Sequence, residues 1–394
     1  MFYELKPAAE DIFGILPIEE DDKQFQQAKE VVEADYDIGT VEAVFEMFGG
    51  FTNKSYGIYA RKDGELHTWF FRKYMRNKQY TELMMEHTLL LHIRKNGFDK
   101  GAAPIYAKNG TTYAERTEKN ENGEDELWYF AVYDFIPGLA KYDWERNKLP
   151  KVSYRDCAKI YAEFHNAGRD FDPQSYSRAE NNINNLMEEF PNDFRGYLDS
   201  LKAADFETRY CSYFEDCLGY IKKMCDKAII PQEDFDQLPV VPNQCDPHPA
   251  NFKFNEDGTS SGIFDFDWAK MDIRLFEVGF SSYYFFEEWS LSEKTTTRDG
   301  EVRMDEVFDF VSAYNDRLKE LGGLTPLTEL EKKYFYESLI MGVQYLIRWD
   351  SELCFKDPSS CNGFEFLYYM QHLVRSLKWL EKNEEEIRTL SAKL

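Results

Sequence analysis

No stretch of the chain approaches the roughly 20 apolar residues that a membrane-crossing helix needs, so no span is expected. Cys-x-x-Cys pairs are absent as well. The seven cysteines are odd in number and scattered, and Cys211, Cys217 and Cys225 lie close together at spacings that suit no zinc template. A reduced, cytoplasmic protein with unpaired thiols is the simplest expectation. Histidine is scarce, with six widely spread residues, fewer than a metal hydrolase usually draws on. Basic charge is also short: 47 Lys and Arg against 72 Asp and Glu leave a net charge of −25. That argues against a nucleic-acid backbone as partner and disfavours anionic membrane surfaces. The opening residues, MFYELKPAAEDIF, carry acids and no apolar core, and do not read as a secretory leader. Internal repeats and low-complexity tracts are absent.

What is present is a globular chain of 394 residues, 43% hydrophobic and 16% aromatic, long enough for two or more lobes with real cores. Residues 24–36 read as a helix and 41–48 alternate as a strand should. A glycine turn follows, then strands at 55–60 and 66–74 around an Asp63-Gly64 turn, and a helix over 78–95. Further hairpins end in an apolar strand at 128–135, and Pro137-Gly138 breaks the pattern. The rest reads mostly as helix: 152–168, 180–190, 194–203, 208–227, 303–320, 327–349 and 363–391. The expected fold class is α+β: a small antiparallel-sheet lobe over residues 1–136, with a helical extension at its start, then a larger, mainly helical lobe over 137–394.

One segment, QCDPHPANFKFNEDGTSSGIFDFDWAK at 244–270, interrupts the helical half with a dense set of oxygen ligands. Residues 251–254 and 261–265 alternate like short strands around the hairpin signal Asp257-Gly258. Strand ends face each other in an antiparallel hairpin, which places Asn251 beside Asp265. A hard divalent cation suits such an oxygen pair, with water and phosphate completing its shell. Asp246, five residues before Asn251 on the incoming loop, is placed as a base for an incoming hydroxyl. The D-x-x-x-x-N spacing, followed by an aspartate after a hairpin, is that of kinase catalytic loops.

This segment resembles the H-G/N-D-x-H-x-x-N and I-D-F/W motifs of the aminoglycoside phosphotransferase and choline kinase-like family, small-molecule kinases with a two-lobed protein kinase-like fold. The resemblance implies Asp246 as catalytic residue and Asn251 and Asp265 as magnesium ligands. Gln244 stands where the family usually has a loop-bracing histidine, and His248 matches its second histidine. Asp267 is either an acid behind the metal loop or a cap of the hairpin. Upstream, FGGFTNKSYGIYA resembles the family's phosphate-covering G-G-x-x-N-x-x-Y turn, so Gly49, Gly50, Asn53 and Ser55 are expected around the nucleotide phosphates. The Walker pattern G-x-x-x-x-G-K-[ST] is absent.

In TWFFRKYM, Arg72 and Lys73 point to opposite faces, and the family aligns its cation with Arg72. Glu82 and Glu86 share a helix face; the resemblance of MEHTLLLHI to E-H-x-x-L-x-x-L favours Glu86 as the partner acid. YFAVYDFIPG resembles the family's hinge, which implies backbone contacts to adenine from Asp134 and Ile136.

For the acceptor, the segment at 272–291 is rich in rings and acids. Tyr283, Tyr284 and Trp289, with Trp349 further on, are candidates to enclose an amine or stack on a sugar; the bland alternative is a buried helix face. Asp272 and Glu277 stand where the family has acids, and bracing of the metal loop is the expectation for them. The expected cofactors are ATP and Mg2+, and the expected partner is a small-molecule hydroxyl acceptor such as an amino sugar, choline, ethanolamine, homoserine or an aminoglycoside. Nucleic acid and membrane are not expected, and the protein is expected to be a monomer or homodimer. A nucleotide-binding pseudokinase acting as scaffold is the alternative.

Overall fold

The structure is a computed structural model and describes residues 15–47, 53–75, 78–120, 122–289 and 298–394. Its elements run β1 (Ile15–Ile18), α1 (Lys23–Asp35), β2 (Thr40–Met47), β3 (Lys54–Lys62), β4 (Glu65–Lys73), α2 (Tyr80–Lys95), β5 (Ala114–Lys119) and β6 (Asp125–Asp134). Then come α3 (Lys151–Gly168), α4 (Ile183–Ala203), α5 (Thr208–Ala228), α6 (Gln232–Phe235), β7 (Val240–Asn243), β8 (Phe252–Phe254), β9 (Ser260–Ile263) and β10 (Lys270–Ile273). Helices α7 (Arg274–Phe286), α8 (Met304–Leu321), α9 (Glu329–Lys333), α10 (Phe335–Lys356), α11 (Gly363–Lys382) and α12 (Glu384–Ser391) complete the chain. By internal contacts the chain divides into two compact units. The first is Met1–Lys141 with Asp170–Ala179 and Ala250–Ala269; the second is Tyr142–Arg169 with Glu180–Pro249 and Lys270–Leu394.

The first unit is built on an antiparallel sheet of order β1-β2-β3-β4-β6-β5. Its inward side chains alternate along β2 and β3, and Val44, Ile58, Phe71, Phe130 and Val132 join Phe25, Val31 and Val32 of α1 in one core. Asp22 starts α1 by accepting a hydrogen bond from the Gln24 N–H at 2.7 Å. The β8–β9 hairpin is fastened to this unit by single bridges, Gly101 to Ile263 and Leu139 to Phe254. Gly138 makes the second approach feasible. Its φ is +127°, and a Cβ there would lie 2.5 Å from the Ser261 hydroxyl, so only glycine fits.

The second unit is helical apart from the β7–β10 ribbon. At the start of α7, Arg274 is fully buried. Its guanidinium meets Glu331 in two hydrogen bonds of 2.6 and 2.7 Å and donates to the carbonyl of Thr325 at 2.7 Å. Glu331 also completes a capping box with Thr328 at α9. Removing one partner of such a pair strands a desolvated charge. Glu331→Ala is therefore expected to cost about 3–5 kcal/mol, read as a lowered denaturant midpoint with an unchanged slope.

The antiparallel-sheet beginning and helical remainder agree with the sequence expectation; several helix boundaries do not. The two helices expected at 180–190 and 194–203 are one helix, α4, with Pro191 inside it. Met187, Phe190, Phe194, Leu198 and Leu201 bury along one face, and that packing outweighs the missing N–H of the proline. Residues 180–182 lie outside α4 because Asn182 caps it, accepting from Asn185 N. Conversely, the single helices expected over 327–349 and 363–391 are each interrupted, at Tyr334 and Asn383, where ψ is 13° and 12°. No described helix is long and apolar enough to cross a membrane, and none of the seven cysteines is bridged.

Candidate functional site

The hairpin at 252–263 sets the first pair of candidate residues. Asn251 ends a short 3-10 turn directly before β8. The ladder pairs Phe252 with Ile263 and Lys253 with Gly262, and Phe264 N donates to Asn251 O at 2.9 Å. The residue facing Asn251 is thus Phe264, not Asp265 as expected. Asp265 lies one position beyond, with φ +59°, a left-handed conformation that Asp tolerates better than most residues. Both residues leave from the same open end of the hairpin. The pair offers hard oxygens only. Among the described residues no group of three or more His, Cys, Asp or Glu is arranged to hold a metal by itself. The oxygen donors of Asn251 and Asp265 are of the type a hard divalent ion takes when water and phosphate complete its shell.

Acids from two other stretches of the first unit, α2 and the segment after β9, converge on Arg72 of β4. Its Nη1 lies 2.5 Å from Asp267 Oδ1, 3.5 Å from Asp265 Oδ1 and 3.7 Å from Glu86 Oε1. Arg72 and Glu86 are buried, at 7% and 2% exposure. The second Asp267 oxygen accepts from the Asn53 amide. Burial pushes the Glu86 carboxyl upward, reinforced by Asp267. Its oxygens accept from Tyr133 OH at 2.8 Å and Tyr74 OH at 3.0 Å. Burial also pushes on Asp267, yet Arg72 and Lys78 outweigh it and hold that carboxyl below the ordinary range. Burial drives the neighbouring His87 imidazole down to about 3, so it is neutral. It meets Tyr74 OH at 2.9 Å and Thr112 Oγ1 at 2.7 Å.

The other candidates of this unit sort by face. Ser55 stands opposite Arg72 in the β3–β4 ladder. Lys73 turns away, its Nζ 4.3 Å from the Trp128 ring centre and 2.9 Å from Gln27 Oε1. Glu82 pairs with Lys78 at 3.7 Å rather than with Arg72. At the end of β6, Asp134 N donates to Ala103 O at 3.1 Å and its carboxylate meets Arg94 at 2.6 Å. Ile136 follows the strand and is buried at 8% exposure; its N–H takes no backbone partner among the described residues. Gly49 and Gly50 lie outside the described residues.

Asp246 belongs to the second unit. The loop before it turns at Cys245, φ +65°, and Glu277 of α7 holds that turn. One Glu277 oxygen accepts from both Gln244 N at 2.6 Å and Cys245 N at 2.9 Å. Its other oxygen meets His165 Nε2 at 2.8 Å. Bracing of the metal loop is the expectation for both acids; Glu277 instead holds the turn before Asp246, and Asp272 accepts from Ile183 N at 2.8 Å and pairs with Lys270 at 3.1 Å. Asp246 keeps a side-chain exposure of 29%, with His248 Nε2 3.2 Å away. His248 is held between Trp144 and Tyr284, ring centres 5.7 and 5.4 Å distant. Trp144 was not legible as part of this region, because it stands in a loop without a motif.

The sequence matches the model of the phosphotransferase enzyme family over residues 49–314, two thirds of the chain. The protein belongs to that family. No curated protein sequence matches it. Among solved structures it is similar to a spectinomycin phosphotransferase in complex with ADP and spectinomycin, at 13% identity and TM-score 0.57, covering 91% of this chain and 98% of that one. An amicoumacin kinase in complex with AMP-PNP and Ca2+ gives 13% identity and TM-score 0.58, covering 92% and 94%. A choline kinase from Cryptosporidium parvum Iowa II gives 11% and 0.54, covering 88% and 90%. These likenesses show the protein kinase-like fold. The family makes the protein a small-molecule phosphotransferase, and the scaffold alternative is not favoured.

In this phosphotransferase the candidate acceptor rings are dispersed. Tyr283 is fully buried, its hydroxyl 2.8 Å from Ser376 Oγ. Tyr284 is partly exposed beside His248 and stacks on Phe280. Trp289 stacks on His372 with ring centres 3.6 Å apart; Trp349 is partly exposed on α10. Next to Trp349, Asp350 is pushed up to about 8 by burial and then by the Glu287 carboxylate. A carboxyl raised in the folded state retains a proton that the unfolded chain releases. Its contribution to stability is complete below the ordinary carboxylate value near ~4 and is lost as pH rises through about 8. Between about pH 6 and 9 the Tm of Asp350→Asn is expected to fall less steeply than that of the native protein; parallel profiles would contradict this.

Proposed function

We propose that the protein transfers the γ-phosphate of ATP to a hydroxyl of a small molecule. The observation that carries this reading is the convergence on Arg72 of acids from α2 and from the segment after β9, at 2.5–3.7 Å. Phosphoryl transfer consists mostly of positioning and charge neutralisation, and this cluster has the parts. Arg72 presents a guanidinium to the nucleotide phosphates; its Nε–H is buried without a partner among the described residues, as suits a group reserved for an anion. Asn251 and Asp265 would hold Mg2+, which neutralises phosphate charge when bound. Ile136 N–H, with Asp134 before it, would meet the adenine edge, and Gly49, Gly50, Asn53 and Ser55 would cover the phosphates.

Asp246 orients the acceptor hydroxyl and takes its proton. Its partly exposed carboxylate, on a turn held by two hydrogen bonds to Glu277, is supported for that role. Tyr284, beside His248, favours an acceptor with a flat or cationic face. The similar solved structures are named for spectinomycin, amicoumacin and choline, and a hydroxylated amine or sugar is the class we assign here. The reading is tested by thermal unfolding with nucleotide. Mg-ATP is expected to raise Tm, and more so than ATP in chelator; no shift with either would contradict it.

A further inference from the structure

We propose that Asp267 is the positioning residue that aims Arg72 and Asn53 at the nucleotide phosphates, an assignment that rests on the kinase reading above. Of the three acids around Arg72, Asp267 alone is at hydrogen-bonding distance, Oδ1 to Nη1 2.5 Å. Asp265 and Glu86 stand at 3.5 and 3.7 Å, beyond the 2.7–2.9 Å of a charge-assisted bond. Glu86 instead spends both oxygens on the hydroxyls of Tyr133 and Tyr74. Asp267 thereby sets the direction of the guanidinium, while Glu86 holds the two tyrosine hydroxyls behind it.

The second Asp267 oxygen accepts from Asn53 Nδ2. The orientation of that amide is determined at its other end, where Asn53 Oδ1 accepts from Met75 N at 2.7 Å. The main-chain oxygen of Asp267 takes Lys78 Nζ at 3.3 Å. One side chain, only 5% exposed, therefore fastens together three parts. These are the cation of β4, the residue three positions after Gly50, and the stretch that carries Asp265. Each carboxylate oxygen already meets a nitrogen donor, from Arg72 and from Asn53. Asp267 is thus distinct in kind from Asp265, two residues before it.

Calorimetry of ADP binding to the full chain separates these possibilities, with magnesium in one arm and EDTA in the other. Asp267→Asn has nearly the same shape but loses the charge and turns one of the two accepting oxygens into a donor. It is expected to weaken ADP about tenfold in both arms, the scale of one charge-assisted hydrogen bond, whereas Asp265→Asn weakens it in the magnesium arm alone. In an Arg72→Ala background, Asp267→Asn is expected to add no more than about threefold, the share carried by Asn53, since the rest of its effect runs through Arg72. A loss confined to magnesium would make Asp267 a metal ligand and overturn the proposal. Native affinity in Asp267→Asn, or losses that add in full in the double variant, would overturn it too. Should Asp267→Asn not fold by circular dichroism, Asn53→Ala reads the other arm of the clamp. There a loss of about threefold or more in both arms is expected, the scale of one neutral hydrogen bond, and native affinity would overturn the proposal. Native protein that binds no ADP would instead refute the kinase reading itself.

Discussion

Asp246→Ala is expected to lower kcat by about 10²–10⁴-fold, the range of a positioned general base, while the affinity for Mg-ATP stays within about twofold of native. The separation follows from placement. Arg72, Asp265, Asp267 and Glu86 form a set without Asp246, and Asp246 belongs to the other compact unit. Its removal costs the hydroxyl its proton acceptor and leaves the nucleotide parts intact. The turn that carries it survives too, because Glu277 holds it through the backbone of Gln244 and Cys245, not through the Asp246 side chain. Steady-state kinetics with nucleotide titrations check this; a native rate would remove Asp246 from the chemistry.

Asp265→Ala has the opposite signature. It is expected to weaken Mg-ATP by at least ~100-fold, since altering residues that only support metal ligands already costs 10–100-fold, with little effect on binding in EDTA. Its effect on the nucleotide-free protein should be slight or favourable. Asp265, Asp267 and Glu86 crowd one guanidinium at 2.5–3.7 Å, and removing Asp265, which stands farther from it than Asp267, relieves like-charge repulsion between these two neighbouring aspartates. Thermal unfolding without ligand, beside calorimetry with it, reads both halves. A large drop in unliganded Tm would make Asp265 a structural residue.

Much of this was legible from local pattern. Alternation marked β2 to β4 and β6, and the Asp257-Gly258 turn marked the β8–β9 hairpin, because these depend on neighbours in sequence. The offset at the hairpin mouth was not. The ladder runs one residue out of the expected register, pairing Phe252 with Ile263 and Lys253 with Gly262 beside an irregularity between Lys253 and Phe254, so Asn251 faces Phe264, and nothing in the residue types announces a one-residue slip. Likewise Pro191 reads as a helix break, and only the buried face of α4 overrides it. For Asp267 the residue was visible and its work was not. Choosing between a cap and an acid needs to know that Asn53 and Arg72, some two hundred positions earlier, arrive at its two oxygens.

The most direct measurement is ADP release from ATP by the purified protein, and by Asp246→Ala in parallel, across a panel of amino sugars, sugars, choline, ethanolamine, homoserine and aminoglycosides. The account predicts acceptor-dependent ADP formation with at least one hydroxylated compound, magnesium-dependent and abolished in the variant. No acceptor-dependent turnover across the panel, or equal rates in the native protein and the variant, would contradict it.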